Sequence, residues 1–115
     1  MKIKVSNATN TQLDWLVTDL ENLKRYGPKD WLEQRPRAIG CRWSTNWEQG
    51  GPIIEREGIT IARRGKYLYS AWGAVLNDFE FDEEGSTPLV AAMRCYVAFR
   101  LGDEVEIPEE LNHAK

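Results

Sequence analysis

The sequence predicts an α+β fold: a small antiparallel sheet with two main helices packed on it, in the order β-α-(long loop with short helical turns)-β-β-α-β. Three observations carry this reading. Leu13, Leu16, Val17, Leu20 and Leu23 recur at spacings of three and four, which gathers them on one face of a helix. Residues 59–72 contain two strand-forming runs. Residues 88–101 form a second apolar stretch, opened by Thr87-Pro88 and closed by Gly102, which is the start and stop chemistry of a helix. At 115 residues the chain suits one domain, 1–115, able to close a core without metals or disulfides.

Residues 2–5 are expected to open the fold as a strand. The first helix spans 8–23, where Thr9 and Gln12 make a capping box in which each side chain satisfies the other's backbone N–H, and Gly27-Pro28 ends it. Residues 27–43 keep no period, include Pro36 and Gly40, and read as a long loop excursion. Residues 47–49 and 52–57 are read as two short helical turns separated by Gly50-Gly51-Pro52, with Gly58 closing the second. Strands at 59–63 and 66–72 are joined by a tight hairpin at Arg64-Gly65 and form a two-stranded central unit. The acidic run 78–84, with Phe79 and Phe81 alternating through it, reads as an acidic edge strand or a docking surface. The second helix, 88–101, buries Leu89, Ala92, Met93, Tyr96 and Val97. Residues 105–107 add a short edge strand ended by Pro108, and 112–115 form a frayed tail.

Composition removes several function classes. An apolar fraction of 42% and a charged fraction of 29% exclude disordered and collagen-like chains. Arg94 and Arg100 interrupt the longest apolar run, so no membrane span is expected. The alternating start Met1-Lys2-Ile3-Lys4-Val5 does not lead into a signal-peptide apolar stretch, so the chain is expected to stay in the cytoplasm. Cys41 and Cys95 are read as free thiols, Cys95 in the core. The net charge of −3 is unevenly spread: ten basic against five acidic residues over 24–66, and three against ten over 67–115. Such halves can complement each other within one chain, across a homo-oligomer interface, or with an outside partner.

One segment looks built for a site. Trp43, Ser44, Thr45, Asn46, Trp47, Gly50, Gly51 and Arg56 combine flat rings, hydroxyls, an amide, close-approach glycines and a cation near a helix start. This set suits a small anionic, nucleotide-like ligand. Its plainer reading is a sharp turn between two short helices, with Trp47 as a core anchor. The basic stretch 24–42 around Trp31 carries phosphate-binding chemistry too, but the overall acidity makes a solvated loop the better reading and nucleic acid a disfavoured partner. The acidic residues Asp82, Glu83 and Glu84 offer the alternative of a protein-binding surface. No catalytic or metal-ligating set is expected. His113 is the sole histidine and lies in the tail, Cys41 and Cys95 lack paired zinc spacing, and 78–84 lacks the calcium-loop pattern. No cofactor is implied.

Four strings carry a resemblance that runs through most of the chain. They are Leu13-Asp14-Trp15; Ser44-Thr45-Asn46-Trp47-Glu48-Gln49-Gly50-Gly51-Pro52-Ile53-Ile54-Glu55-Arg56-Glu57; Thr87-Pro88-Leu89-Val90-Ala91-Ala92-Met93-Arg94-Cys95-Tyr96-Val97-Ala98; and Leu101-Gly102-Asp103-Glu104-Val105-Glu106-Ile107-Pro108. In these the chain resembles the NinX-like family of lambdoid phage proteins. It departs from that pattern at Asn46, where Asp is expected, and through 31–42. The resemblance implies phage origin and an accessory role in the infected bacterium, with no catalytic residues. Together these readings anticipate a non-enzymatic accessory protein in the host cytoplasm that binds a small nucleotide-like molecule such as a host defence signal. The alternative is a module that inhibits or redirects a host protein.

Overall fold

The computed structural model describes residues 1–21, 42–64, 71–109 and 111. The expectations for Cys41, His113, the tail 112–115, the 27–43 excursion before Arg42 and the rest of the basic stretch lie outside these residues. Among the described residues the fold is α+β, with three α-helices, a 3-10 turn at Val5–Asn7 and two small antiparallel sheets. Strand β1 (Lys2–Lys4) pairs with β5 (Glu104–Glu106), placing Lys2 opposite Glu106 and Lys4 opposite Glu104 while Val105 turns inward. Opposite charges across the ladder and one buried row fix this register. The second sheet has the order β2 (Thr60–Arg64), β3 (Ala71–Leu76), β4 (Phe81–Gly85).

Helix α1 is helical over 10–21, beginning one residue after Thr9. The capping box forms in both directions: the Thr9 N–H donates to Gln12 Oε1 at 2.9 Å and the Gln12 N–H to Thr9 Oγ1 at 3.3 Å. The expected stripe of Leu13, Leu16, Val17 and Leu20 is buried. Helix α3 (Pro88–Leu101) starts and stops where its sequence indicates. Thr87 Oγ1 accepts the Val90 N–H, and Gly102, at φ 95°, ends the helix with its N–H on the Ala98 carbonyl. Its buried set exceeds one face, because Val90, Ala91, Cys95 and Ala98 are enclosed along with the five expected residues. The helix packs on the three-stranded sheet and against α2, and its Tyr96 reaches Glu21 of α1, so more than one side of it is covered.

Two sequence expectations are corrected. The segment 47–57 is one helix, α2 (Trp47–Glu57), which runs through Gly50-Gly51-Pro52 without a break. Asn46 caps it, Gly58 at φ 70° ends it, and Ile53 anchors it in the core. Pro52 costs the helix one bond, to the Glu48 carbonyl, and does not outweigh that anchoring. The chain also does not turn at Arg64-Gly65, since Arg64 pairs with Ala71; the rest of the expected hairpin and strand, residues 65–70, lies outside the described residues. The partner strand continues through Gly73 to Leu76 and pairs with β4, so the central unit has three strands. At Gly73 a Cβ would displace the Arg64 guanidinium, which crosses over it to Asp82 at 2.6 Å and Glu84 at 3.4 Å on β4. The acidic run thus contributes an edge strand, as one of its two readings anticipated.

Cys95 is fully buried, its thiol 3.6 Å from the Phe81 carbonyl oxygen. Burial, with Glu83 and Asp82 nearby, pushes the thiol from 9.0 up to about 12. Tyr96 is raised in the same sense by burial and then by its bond to Glu21. The folded state therefore holds protons that the unfolded chain releases first, so stability is full below pH 9.0 and falls as pH rises toward about 12. The loss from Cys95 should be on the order of 4 kcal/mol across that window. Urea midpoints followed from about pH 8 to about pH 11 should decline, and less steeply in Cys95→Ala. A flat profile would contradict the buried-thiol account.

Candidate functional site

The turn joining 42–45 to α2 is fastened to α1 by side chains one helical turn apart. The Trp43 indole N–H donates to Thr18 Oγ1 at 2.8 Å, and the Ser44 N–H and hydroxyl donate to Asp14 Oδ1 at 2.9 and 2.8 Å. Burial raises the Asp14 carboxyl above its ordinary value, with the two Ser44 hydrogen bonds and Arg42 opposing the shift. Gly50 lies directly against the Trp43 carbonyl and the Leu89 side chain, which brings the starts of α2 and α3 together.

A cavity of about 180 Å³ opens at this junction. Asn10 begins α1, Trp47 begins α2 and Thr87 caps α3, and all three line it, with Ser44, Thr45, Leu89 and Val90 completing the wall. No lining side chain carries a charge. Residues at three helix starts, where the helix dipole is positive, therefore border one small space. The caps already use the N–H groups of Gln12, Glu48 and Val90. Trp47 is 55% exposed, so its ring is a wall of the cavity and a surface outside it.

Of the eight residues singled out in the sequence, Ser44, Thr45 and Trp47 meet at the cavity. Ser44 is wholly buried and its hydroxyl is taken by Asp14, so it shapes the floor. Trp43 is half-buried behind it, and Gly50 packs between the Trp43 carbonyl and the Leu89 side chain. Asn46 accepts the Glu48 N–H at 2.8 Å. That capping task needs only a side-chain oxygen, which Asn supplies as well as the Asp expected there. A Cβ added at Gly51 would lie at ordinary contact distance from the Trp47 ring. Arg56 is not brought to the cavity. It lies nine residues along α2 from Trp47, roughly 13 Å at helical rise. There it holds Glu21 with two bonds of 2.9 and 3.0 Å, Glu57 at 2.7 Å and the Tyr96 hydroxyl at 3.1 Å. Tyr96 in turn donates to Glu21 at 2.7 Å. These bonds, the one to Glu21 above all, raise the Arg56 guanidinium well above its ordinary value. The cluster ties α1, α2 and α3 together.

Asp82 and Glu84 are exposed on β4 and share Arg64, while half-buried Glu83 points to the other side. Burial and then Asp103 raise the Glu83 carboxyl, and Arg94 opposes the shift. A cleft of about 640 Å³ borders the triplet, with Arg64 and Arg94 in its walls. Among the described residues no group of three or more His, Cys, Asp or Glu is placed to hold a metal ion. No described helix is long and apolar enough to cross a membrane. Asn10, Thr87 and Leu89 escaped the sequence reading as site residues. The signals for the helix starts at Thr9 and Thr87 were present, but nothing local says that those starts converge.

The family described as Bacteriophage P22, NinX matches residues 4–100. The chain belongs to this family. The match takes in α1, α2, the three-stranded sheet and nearly all of α3, so every wall of the cavity lies inside the NinX region. It supports a phage protein, and the family's description names no activity. No curated protein matches the chain.

Proposed function

We propose that this NinX-family protein is a non-enzymatic phage accessory protein that binds, and so sequesters, a small anionic, nucleotide-derived ligand in the cytoplasm of the infected host. The observation that carries this reading is the convergence of three helix starts on one uncharged cavity walled by an exposed tryptophan. Ligand pockets commonly enclose some 300 to 1,000 Å³. At about 180 Å³ this one suits the charged group of a ligand, a phosphate or carboxylate, rather than the whole molecule. The remaining base or sugar would lie on the outer Trp47 ring, where stacking stabilises a base by about 1–3 kcal/mol. Thr45 and Thr87 supply hydroxyls at the rim.

Calorimetry against nucleoside mono- and diphosphates and cyclic dinucleotides tests the reading. Binding is expected for at least one class, with affinity falling at least about tenfold in Trp47→Ala, the equivalent of losing one stacked base. Folded protein giving no heat with any of these probes would overturn it. A second reading, engagement of a host protein, draws support from β4 being an edge strand with exposed Asp82 and Glu84. Reversal of Asp82, Glu83 and Glu84 to lysine should then abolish a stoichiometric complex.

A further inference from the structure

We infer that the tip of the β3–β4 hairpin and the outer end of α3 form a docking surface for a protein segment that carries apolar and cationic side chains. The surface is separate from the cavity beside Trp47 and stands or falls independently of it.

The hairpin connection, residues 77–80, contains three successive left-handed residues: Asn77 at φ 53°, Asp78 at 56° and Phe79 at 70°. Asn and Asp tolerate that conformation because their short polar side chains bond locally; a bulky aromatic does not. The turn is nonetheless pinned, by the Glu80 N–H on the Asn77 carbonyl at 3.2 Å and by Asn77 Nδ2 on Glu80 Oε1 at 2.8 Å. The Phe79 ring it presents is 74% exposed. An aromatic that is both strained and in water gains nothing from the described fold, and such positions gather at sites of contact.

Beside it lies a cleft of about 450 Å³ with Phe79 and Phe99 in its walls, together with Val75 and Leu76. Phe99 is itself partly exposed, backed by edge-to-face contact with Phe81 at 5.3 Å. Charge selects the occupant. Asp78 lines the cleft with Glu57, whose carboxylate is held by Arg56; exposed Glu80 stands beside it, and no Lys or Arg contributes to the lining. The field therefore repels nucleic acid and anionic bilayers and attracts Lys or Arg flanking an apolar anchor. Two phenylalanine rings across a cleft of this size receive one large side chain of such a segment.

The test selects a display library of random 15-residue peptides against the folded protein, then measures the selected peptides by fluorescence anisotropy. Enriched peptides should pair an aromatic or large aliphatic residue with neighbouring Lys or Arg, and added salt should weaken them. Affinity should fall at least about tenfold in Phe79→Gly and in Asp78→Lys with Glu80→Lys. In Phe79→Gly the melting temperature should rise by roughly 3 °C, because glycine accepts the left-handed backbone that phenylalanine resists. Loss of binding together with a gain in stability separates a docking role from a structural one. Selected peptides that are acidic, or whose affinity is unchanged in Phe79→Gly, would overturn the inference. So would a lowered melting temperature in that variant, or binding of labelled DNA or phosphatidylserine vesicles at this tip.

Discussion

Replacing Gly50 by alanine is expected to destabilise the protein by about 3 kcal/mol, the upper end of overpacking penalties. The added Cβ would fall inside contact distance of the Trp43 carbonyl oxygen and 2.7 Å from Leu89 Cδ2. The first obstacle is backbone, held in place by the Trp43 bond to Thr18 and the Ser44 bonds to Asp14, and so cannot swing aside. Helix α2 would have to retreat from α3 and from the turn before it, which opens the cavity wall as well as the core. The neighbouring Gly51 makes the comparison sharp. A Cβ there meets nothing nearer than Trp47 Cε3 at 3.8 Å, and alanine is the better helix former, so Gly51→Ala should stabilise by roughly 0.5–1 kcal/mol. Urea denaturation of the two variants should show midpoints displaced in opposite directions. Equal midpoints would mean that α2 and α3 do not touch as described.

The second large effect is expected at Arg56. Arg56→Ala leaves the Glu21 carboxylate, 14% exposed, with Tyr96 in place of the two-bond grip of a guanidinium. Breaking a fully buried ion pair costs about 3–5 kcal/mol. The Arg56 side chain is 43% exposed, so solvent screens the pair, and a loss of about 2 kcal/mol is expected instead. Because α1, α2 and α3 meet at this cluster, the loss should appear as lower global stability in urea. Ligand affinity at the Trp47 cavity should change less than about twofold, since the two sites are separated by most of the length of α2. A stable Arg56→Ala protein that has lost ligand binding would reverse these assignments.

Much of the fold was legible because its punctuation is local. Thr9 with Gln12, Thr87 with Pro88, and Gly58 and Gly102 set helix ends through bonds to their own near neighbours, and each stands at or beside the position read from the sequence. What escaped depends on distant partners. Gly50-Gly51-Pro52 has the composition of a break, yet Gly50 is there to let α2 approach Leu89, a residue 39 positions away. The strand read as stopping at residue 72 likewise continues through Gly73, which leaves room for the Arg64 side chain to cross. At the cavity, Thr45 and Trp47 stand out in the sequence by their chemistry, and Arg56, which lies elsewhere on α2, is grouped with them through proximity along the chain. A helix carries such a residue away at about 1.5 Å per position. The other two helix starts at the cavity come from opposite ends of the chain.

Backbone amide shifts during titration with nucleotides and with inorganic phosphate examine the cavity most directly. Saturable movement concentrated at Asn10, Thr45, Trp47 and Leu89, together with the Trp47 indole signal for nucleotides only, is the outcome that a phosphate seat beneath a stacking ring requires. Shifts scattered over the surface, or centred on Arg56 and the acidic strand while these four residues stay still, would remove the cavity from consideration.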